Sequence, residues 1–346
     1  MLVAHVAQSG LVDRVVHVGR YVDGAAGFVF LSGLVLGLSR QQQAASREGA
    51  RAVRKWLLRR AATLYGIQLL LVGLAVTVAQ APLSSASAAS LDLSAGWLPL
   101  ALRALSMQEQ PIYIDILPMY VLFLILAIPA VEALRRGAFA WVAGASLALW
   151  AFTQVQPDGL ALGAIRPRGY QFRWAAWQLL FFGGLCVGWW VGQRDARPTL
   201  ATRRRLVVAA TVVAGSMLVL ARLEPLTPYH LRLSTVAAAL VEKATLGPLV
   251  VVDFAALFVL GLAVVDALGR RAWTAVALAW LQAVGQRSLR CYIAITVMAV
   301  VVHALPPTWT AAPDAFVIPG LVLIHVVARP SAAERRGPPA TPTAAA

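Results

Sequence analysis

QPIYIDILPMYVLFLILAIP (residues 110–129) carries one carboxylate, Asp115, three positions before Pro118 and at the mouth of an apolar run that meets no further charge until Glu132. A run of this length is too long for a strand and reads as a helix that is apolar all round, which belongs in hydrocarbon or a large core. An ionised group at its entrance is costly unless something compensates it. The composition decides which medium is meant. Of 346 residues, 60% are hydrophobic and 13% charged, with a mean hydropathy of +0.72. A soluble chain of this size carries about twice that charged fraction. The protein therefore reads as a helical membrane protein.

Apolar runs near bilayer length fall at residues 24–39, 56–80, 112–131, 138–155, 173–192, 205–222, 247–268, 287–305 and 313–328. Residues 1–8 are apolar but too short to cross, and read as the remnant of one more helix, truncated at its start. The expected fold is all-α and polytopic, with about nine to ten transmembrane helices over residues 1–328 and a Pro/Ala-rich, disordered cytoplasmic tail over 329–346. Trp273–Ala283 follows Arg270 and Arg271 and is expected to lie along the membrane surface. The longest outer loop, residues 81–110, is too short for a soluble domain.

The net charge of +15 and sequence pI of about 11.2 suggest nucleic acid at first sight. Placement argues otherwise. When connections are numbered alternately, one set collects 21 of the 30 basic residues, among them Arg47, Arg54, Arg60, Arg135, Arg203, Arg270 and Arg287. That set is cytoplasmic by the positive-inside rule, which puts the C-terminus inside. The basic excess is a topology signal, and no nucleic-acid partner is expected. Cys186 and Cys291, both in apolar segments, fit packing better than a disulfide or metal site.

Several polar residues then gather at the outer face: His5, Asp23, Asp115, Arg173 with Trp174, Trp177 and Gln178, Lys243, and Asp253 inside its span. Ionisable groups within spans are functional candidates by default. The competing reading is helix capping, because Asp23 and Asp115 stand where a helix dipole favours an anion. Gly33 and Gly37, and Gly184, Gly188 and Gly192, repeat at four-residue spacing and read as close helix packing, with Ser32 in the same stripe. No phosphate-binding loop, zinc motif or nucleophile elbow occurs. These observations leave enzyme and transporter both open.

The order of short motifs separates them. DGAAGFVFLSGLVLGL (23–38), RRAATLYGIQLLL (59–71), DILPMYVLFLILAIP (115–129), FRWAAWQLLFFGG (172–184), KATLGPL (243–249) and VGQRSLRCYI (284–293) resemble, in sequence order, the OpgC family. Those are bacterial membrane succinyltransferases acting on osmoregulated periplasmic glucans, related to the wider acyltransferase-3 group. The resemblance implies transfer of an acyl group, typically succinyl, from a cytoplasmic acyl-CoA to a sugar hydroxyl outside. The partners are then the bilayer, a glycan acceptor and acyl-CoA as co-substrate, with succinyl-CoA the expected donor and no permanently bound cofactor or metal. It also implies His5 as general base, with Asp115 and Asp23 orienting it or the acceptor, because a hydroxyl needs a positioned base and the developing oxyanion needs donors. Arg173, Trp177, Gln178 and Lys243 become acceptor-binding candidates, Trp177 by stacking on a sugar ring. Arg287 and Ser288 become donor-binding candidates. Two departures stand out: relatives carry an aspartate- and RG-bearing segment ahead of the histidine, and often an arginine after LGPL, where this chain has Val250. A sibling O-acetyltransferase, a transporter or flippase, and a degenerate non-catalytic chain are the alternatives.

Overall fold

The computed structural model describes residues 2–3, 11–12, 21–22, 24–80, 96–108, 114–157, 173–193, 200–223, 239–305 and 313–329. Among them every regular element is helical: α1 (Gly24–Ala44), α2 (Arg47–Ala79), α3 (Trp97–Leu105), α4 (Ile116–Arg135), α5 (Phe139–Val155), α6 (Trp174–Gly192), α7 (Leu200–Leu223), α8 (Pro248–Gly269), α9 (Ala275–Gln286), α10 (Ser288–Ala304) and α11 (Val317–Ala328). The all-α expectation holds, and the protein is a multi-pass membrane protein. The count of nine to ten spans is corrected. Among the described residues six helices, α1, α2, α4, α6, α7 and α8, are long and apolar enough to cross, or seven if α9 and α10 form one broken span. At a rise of about 1.5 Å per residue, α5 measures about 25 Å and α11 less, short of a hydrocarbon core of about 30 Å. The run ending at Ala304 breaks at Arg287, where α9 and α10 meet at 83°. None of the residues of α9 is fully buried, as suits a helix lying along an interface.

Local chemistry sets the boundaries. Ser46 caps α2, accepting from the Gly49 amide at 3.0 Å, with Glu48 in the first turn. Gly137, at φ 80°, ends α4: its amide donates to Leu134 O and that of Ala138 to Ala133 O. This Schellman pattern needs a left-handed residue, and it reverses the chain into α5.

The most extensive helix pair is α1 with α6. Gly33 lies against Phe181 and Leu185, Gly37 against Leu185 and Trp189, and Gln41 Nε2 donates to Gly192 O at 2.6 Å. Both sets of numbers climb together, so the helices run parallel. The glycine spacing read from the sequence is thus a backbone-to-backbone seam. Beside it, α4 contributes Phe123 and Met119 to the core, Phe123 meeting Phe181 with ring centroids 5.3 Å apart. Cys186 and Cys291 are both buried and free.

The basic helix ends meet in the groups the charge count placed together. Arg47, Arg51 and Arg54 face Arg135 and Arg136 across a cleft of about 690 Å³. Glu132 pairs there with Arg135 at 2.6 Å and Arg136 at 2.7 Å. Asp266 of α8 bridges Arg203 of α7 and Arg270.

Candidate active site

The opposite end of the bundle is organised by an irregular segment, residues 239–247, which contains most of the KATLGPL motif. Thr245, Leu246 and Gly247 are buried, and Leu246 adopts a left-handed φ of 49°. Non-helical backbone inside a membrane protein must have its carbonyls satisfied by protein. Here side chains of two helices do so. Trp177 Nε1 donates to Ala244 O at 3.2 Å, Gln154 Nε2 to Thr245 O at 2.8 Å and Trp150 Nε1 to Leu246 O at 2.8 Å. The Arg173 amide adds a bond to Ala244 O at 3.1 Å. Two motifs that the sequence keeps apart, FRWAAWQ and KATLGPL, are therefore one clamp. It holds Lys243, which is half-buried, at the mouth of α6.

This clamp corrects the reading of Trp177 and Gln178 as sugar-binding residues. Trp177 is 1% exposed, so neither ring face is open to stack on a sugar. Gln178, also 1% exposed, is fully engaged: Oε1 accepts from Ser146 Oγ at 2.8 Å, and Nε2 donates to Ser146 O at 2.8 Å and Ala175 O at 3.1 Å. Polar tips in a span suggest a cavity when only the sequence is read. Their partners, on α5 and in the 239–247 segment, are invisible to local sequence. Trp177→Phe, which keeps an aromatic ring and removes one of the two donors to Ala244 O, is expected to lower stability by about 0.5–1.5 kcal/mol. Thermal midpoints in detergent check this; an unchanged midpoint with weakened acceptor binding would restore the sugar-contact role.

Asp115 takes the N-cap position of α4, but its side chain makes no capping hydrogen bond to that helix, and it is only half-buried. It lies within electrostatic reach of Tyr292 on α10. Tyr292 stacks near Phe28 at 6.4 Å, Phe28 meets Tyr120 at 5.4 Å, and the Tyr120 hydroxyl donates to Ser32 Oγ at 3.1 Å. Ser32 in turn donates to Phe28 O at 2.8 Å, the back-bonding role its stripe suggests. Asp253, 3% exposed, makes no hydrogen bond or ion pair among the described residues. His5 and Asp23 lie outside the described residues. The neighbours Leu2 and Leu11 are described: Leu2 packs with Cys291, Ile295 and Ile324, and the Leu11 amide donates to Asp314 Oδ2 at 2.7 Å.

Arg287 and Ser288 line a pocket of about 410 Å³ at the break between α9 and α10, together with Arg290 and Arg60 of α2. Three guanidinium groups around one opening suit a phosphorylated ligand, since each offers planar donors to phosphate oxygens. By sequence alone Arg60 counts only as a topology charge; its convergence on Arg287 needs the packing of α2 against α10.

The family model described as OpgC protein matches residues 1–336. No curated protein and no solved structure matches the chain. With the motif order, the helical bundle and a match running almost end to end, the chain belongs to the OpgC family.

Proposed function

We propose that the protein is a membrane O-acyltransferase that moves an acyl group, with succinyl favoured, from a cytoplasmic acyl-CoA to a hydroxyl of a periplasmic or cell-wall glycan. OpgC membership supports a membrane acyltransferase-type function. The observation carrying the finer reading is the placement of α10. Its first turn borders the pocket with Arg60, Arg287 and Arg290, and one turn further on Tyr292 reaches the field of Asp115. An opening suited to donor phosphates and a carboxylate suited to the acceptor thus both border α10, which supports this reading.

In this reaction the acceptor hydroxyl attacks the thioester carbonyl, a C–O bond forms, and the C–S bond breaks to release coenzyme A as thiol. His5 takes the hydroxyl proton and returns it to the leaving sulfur, and Asp115 with Asp23 orients the base or the acceptor. Arg173 and Lys243, at the mouth of α6, hold the acceptor; Arg287 and Ser288, with Arg60 added, hold the donor phosphates. The enzyme sits in the inner membrane with its C-terminus in the cytoplasm.

The test is glycan mass in a deletion strain complemented with this chain or with His5→Ala. A succinyl mass increment lost on deletion, restored by the wild type and not by the variant, is expected. A different acyl increment would keep the mechanism and change the donor. No change in any strain, with the protein present in the membrane, would remove glycan acylation and move transport to first place.

A further inference from the structure

Gln68 of α2 is fully buried, at 0% exposure, and neither its Oε1 nor its Nε2 has a hydrogen-bond partner among the described residues. It stands on the buried face of α2 with Leu64, Leu71, Val72 and Ala75. Thr296 of α10, a helix that packs against α2, is also 0% exposed; it is within reach of the Tyr292 hydroxyl, but its Oγ1 completes no well-formed hydrogen bond. A buried amide with both halves unsatisfied is expensive, because it has lost water and gained nothing. The large majority of buried side-chain polar atoms are paired, so an exception of this kind calls for an explanation. Other amides in the same bundle, Gln41 and Gln178, are both bonded.

Position supplies the explanation. Gln68 is eight residues beyond Arg60 on α2, and Thr296 is eight beyond Ser288 on α10. Both therefore lie about 12 Å further along the two helices that border the basic pocket, counted from Arg60 within α2 and from Ser288 at the start of α10. If the donor is an acyl-CoA, as proposed for this protein, the nucleotide phosphates rest at that pocket and the pantetheine arm leads inward from them. The arm carries secondary amides, each with one N–H donor and one carbonyl acceptor. A glutamine side chain offers the complementary pair, Oε1 to accept and Nε2 to donate. We propose that Gln68, assisted by the Thr296 hydroxyl, is the pantetheine-binding subsite: it pairs with an amide of the donor arm, and its unsatisfied state is the ligand-free state of that subsite.

The experiment measures thermal stabilisation of the detergent-purified full chain by coenzyme A and by phosphoadenosine phosphate, the nucleotide fragment without the arm. Gln68→Met removes the amide at similar volume. The variant is expected to be at least as stable as wild type without ligand, since an unpaired polar group is gone. Its affinity for coenzyme A is expected to fall about tenfold, as for one lost amide pair. Its affinity for the fragment is expected to stay unchanged. Thr296→Val gives the same pattern with a smaller effect and serves if Gln68→Met does not fold. Equal coenzyme A binding by variant and wild type, or parallel loss of both ligands, overturns the subsite. Wild type that responds to neither ligand instead overturns the acyl-CoA reading on which the subsite rests.

Discussion

Gly184→Ala is expected to destabilise the protein by about 3 kcal/mol, the upper end of the usual cost of overpacking a core. Gly183→Ala, one residue earlier, is expected to be neutral or slightly stabilising. The difference is geometric. A Cβ on Gly184 meets the backbone of α1, overlapping the carbonyl of Phe30 and coming within 2.9 Å of Leu34 N, whereas one on Gly183 meets nothing within 4 Å. Backbone on the facing helix cannot swing aside as a side chain can, so the helices must separate, and their close approach is the main attraction between helices in lipid. At Gly183 the methyl only removes the helix penalty of glycine. Thermal midpoints of the two variants read the effect, and equal midpoints would show that α1 and α6 do not meet along this seam. Because Gly33 presses on the same pair from the other side, at Phe181 and Leu185, Gly33→Ala and Gly184→Ala are expected to cost less together than their sum. Once one methyl has parted the helices, the second finds room.

That seam is legible in the sequence, because small residues at four-residue spacing project along one helix face whatever the fold. The grouping of basic helix ends is legible for a similar reason: basic clusters such as Arg135–Arg136 and Arg270–Arg271 avoid hydrocarbon, and the bundle brings Arg47, Arg51 and Arg54 to Arg135 and Arg136, and Arg203 to Asp266 and Arg270. The span count is not, because hydropathy reports what a segment tolerates and not whether it is long or straight enough to cross. Phe139–Val155 is mostly apolar yet short, and the run through Arg287 is apolar enough yet bent. Within the site, residue type is legible and partnership is not. Trp177 and Gln178 have the chemistry of sugar contacts but are committed to Ala244 and Ser146, far away in sequence. Gln68 escapes a sequence reading for the opposite reason. It sits inside the RRAATLYGIQLLL motif, and nothing local distinguishes a bonded glutamine from an unbonded one. The signal that could find it is its register with Leu57, Ala61, Leu64, Leu71 and Ala75, which puts it on the buried face.

Asp115→Asn is expected to lower acyl transfer by about 100-fold or more, within the range that positioned acid–base groups supply, while leaving the thermal midpoint close to wild type. Asparagine keeps the shape and the capacity to begin a helix, so a structural N-cap role predicts little change in either quantity. A role as a charge predicts loss of transfer alone. Two facts favour the charge. The side chain makes no capping bond to α4, so the capping account lacks the contact it needs. Its charge also reaches Tyr292, on the helix that borders the basic pocket, and in the proposed reaction an anion at this point acts where a proton has to move. Asp115→Glu keeps the charge on a longer arm and is expected to recover part of the rate, which no packing account requires. The measurement is succinyl incorporation per folded molecule for the three proteins, with membrane levels matched. Full activity in Asp115→Asn would leave the aspartate as a helix-start residue and pass the orienting role to Asp23. Loss in both Asp115→Asn and Asp115→Glu, at unchanged stability, would mean that the position of the carboxylate matters as much as its charge, as expected of a group that holds a base or a sugar hydroxyl directly.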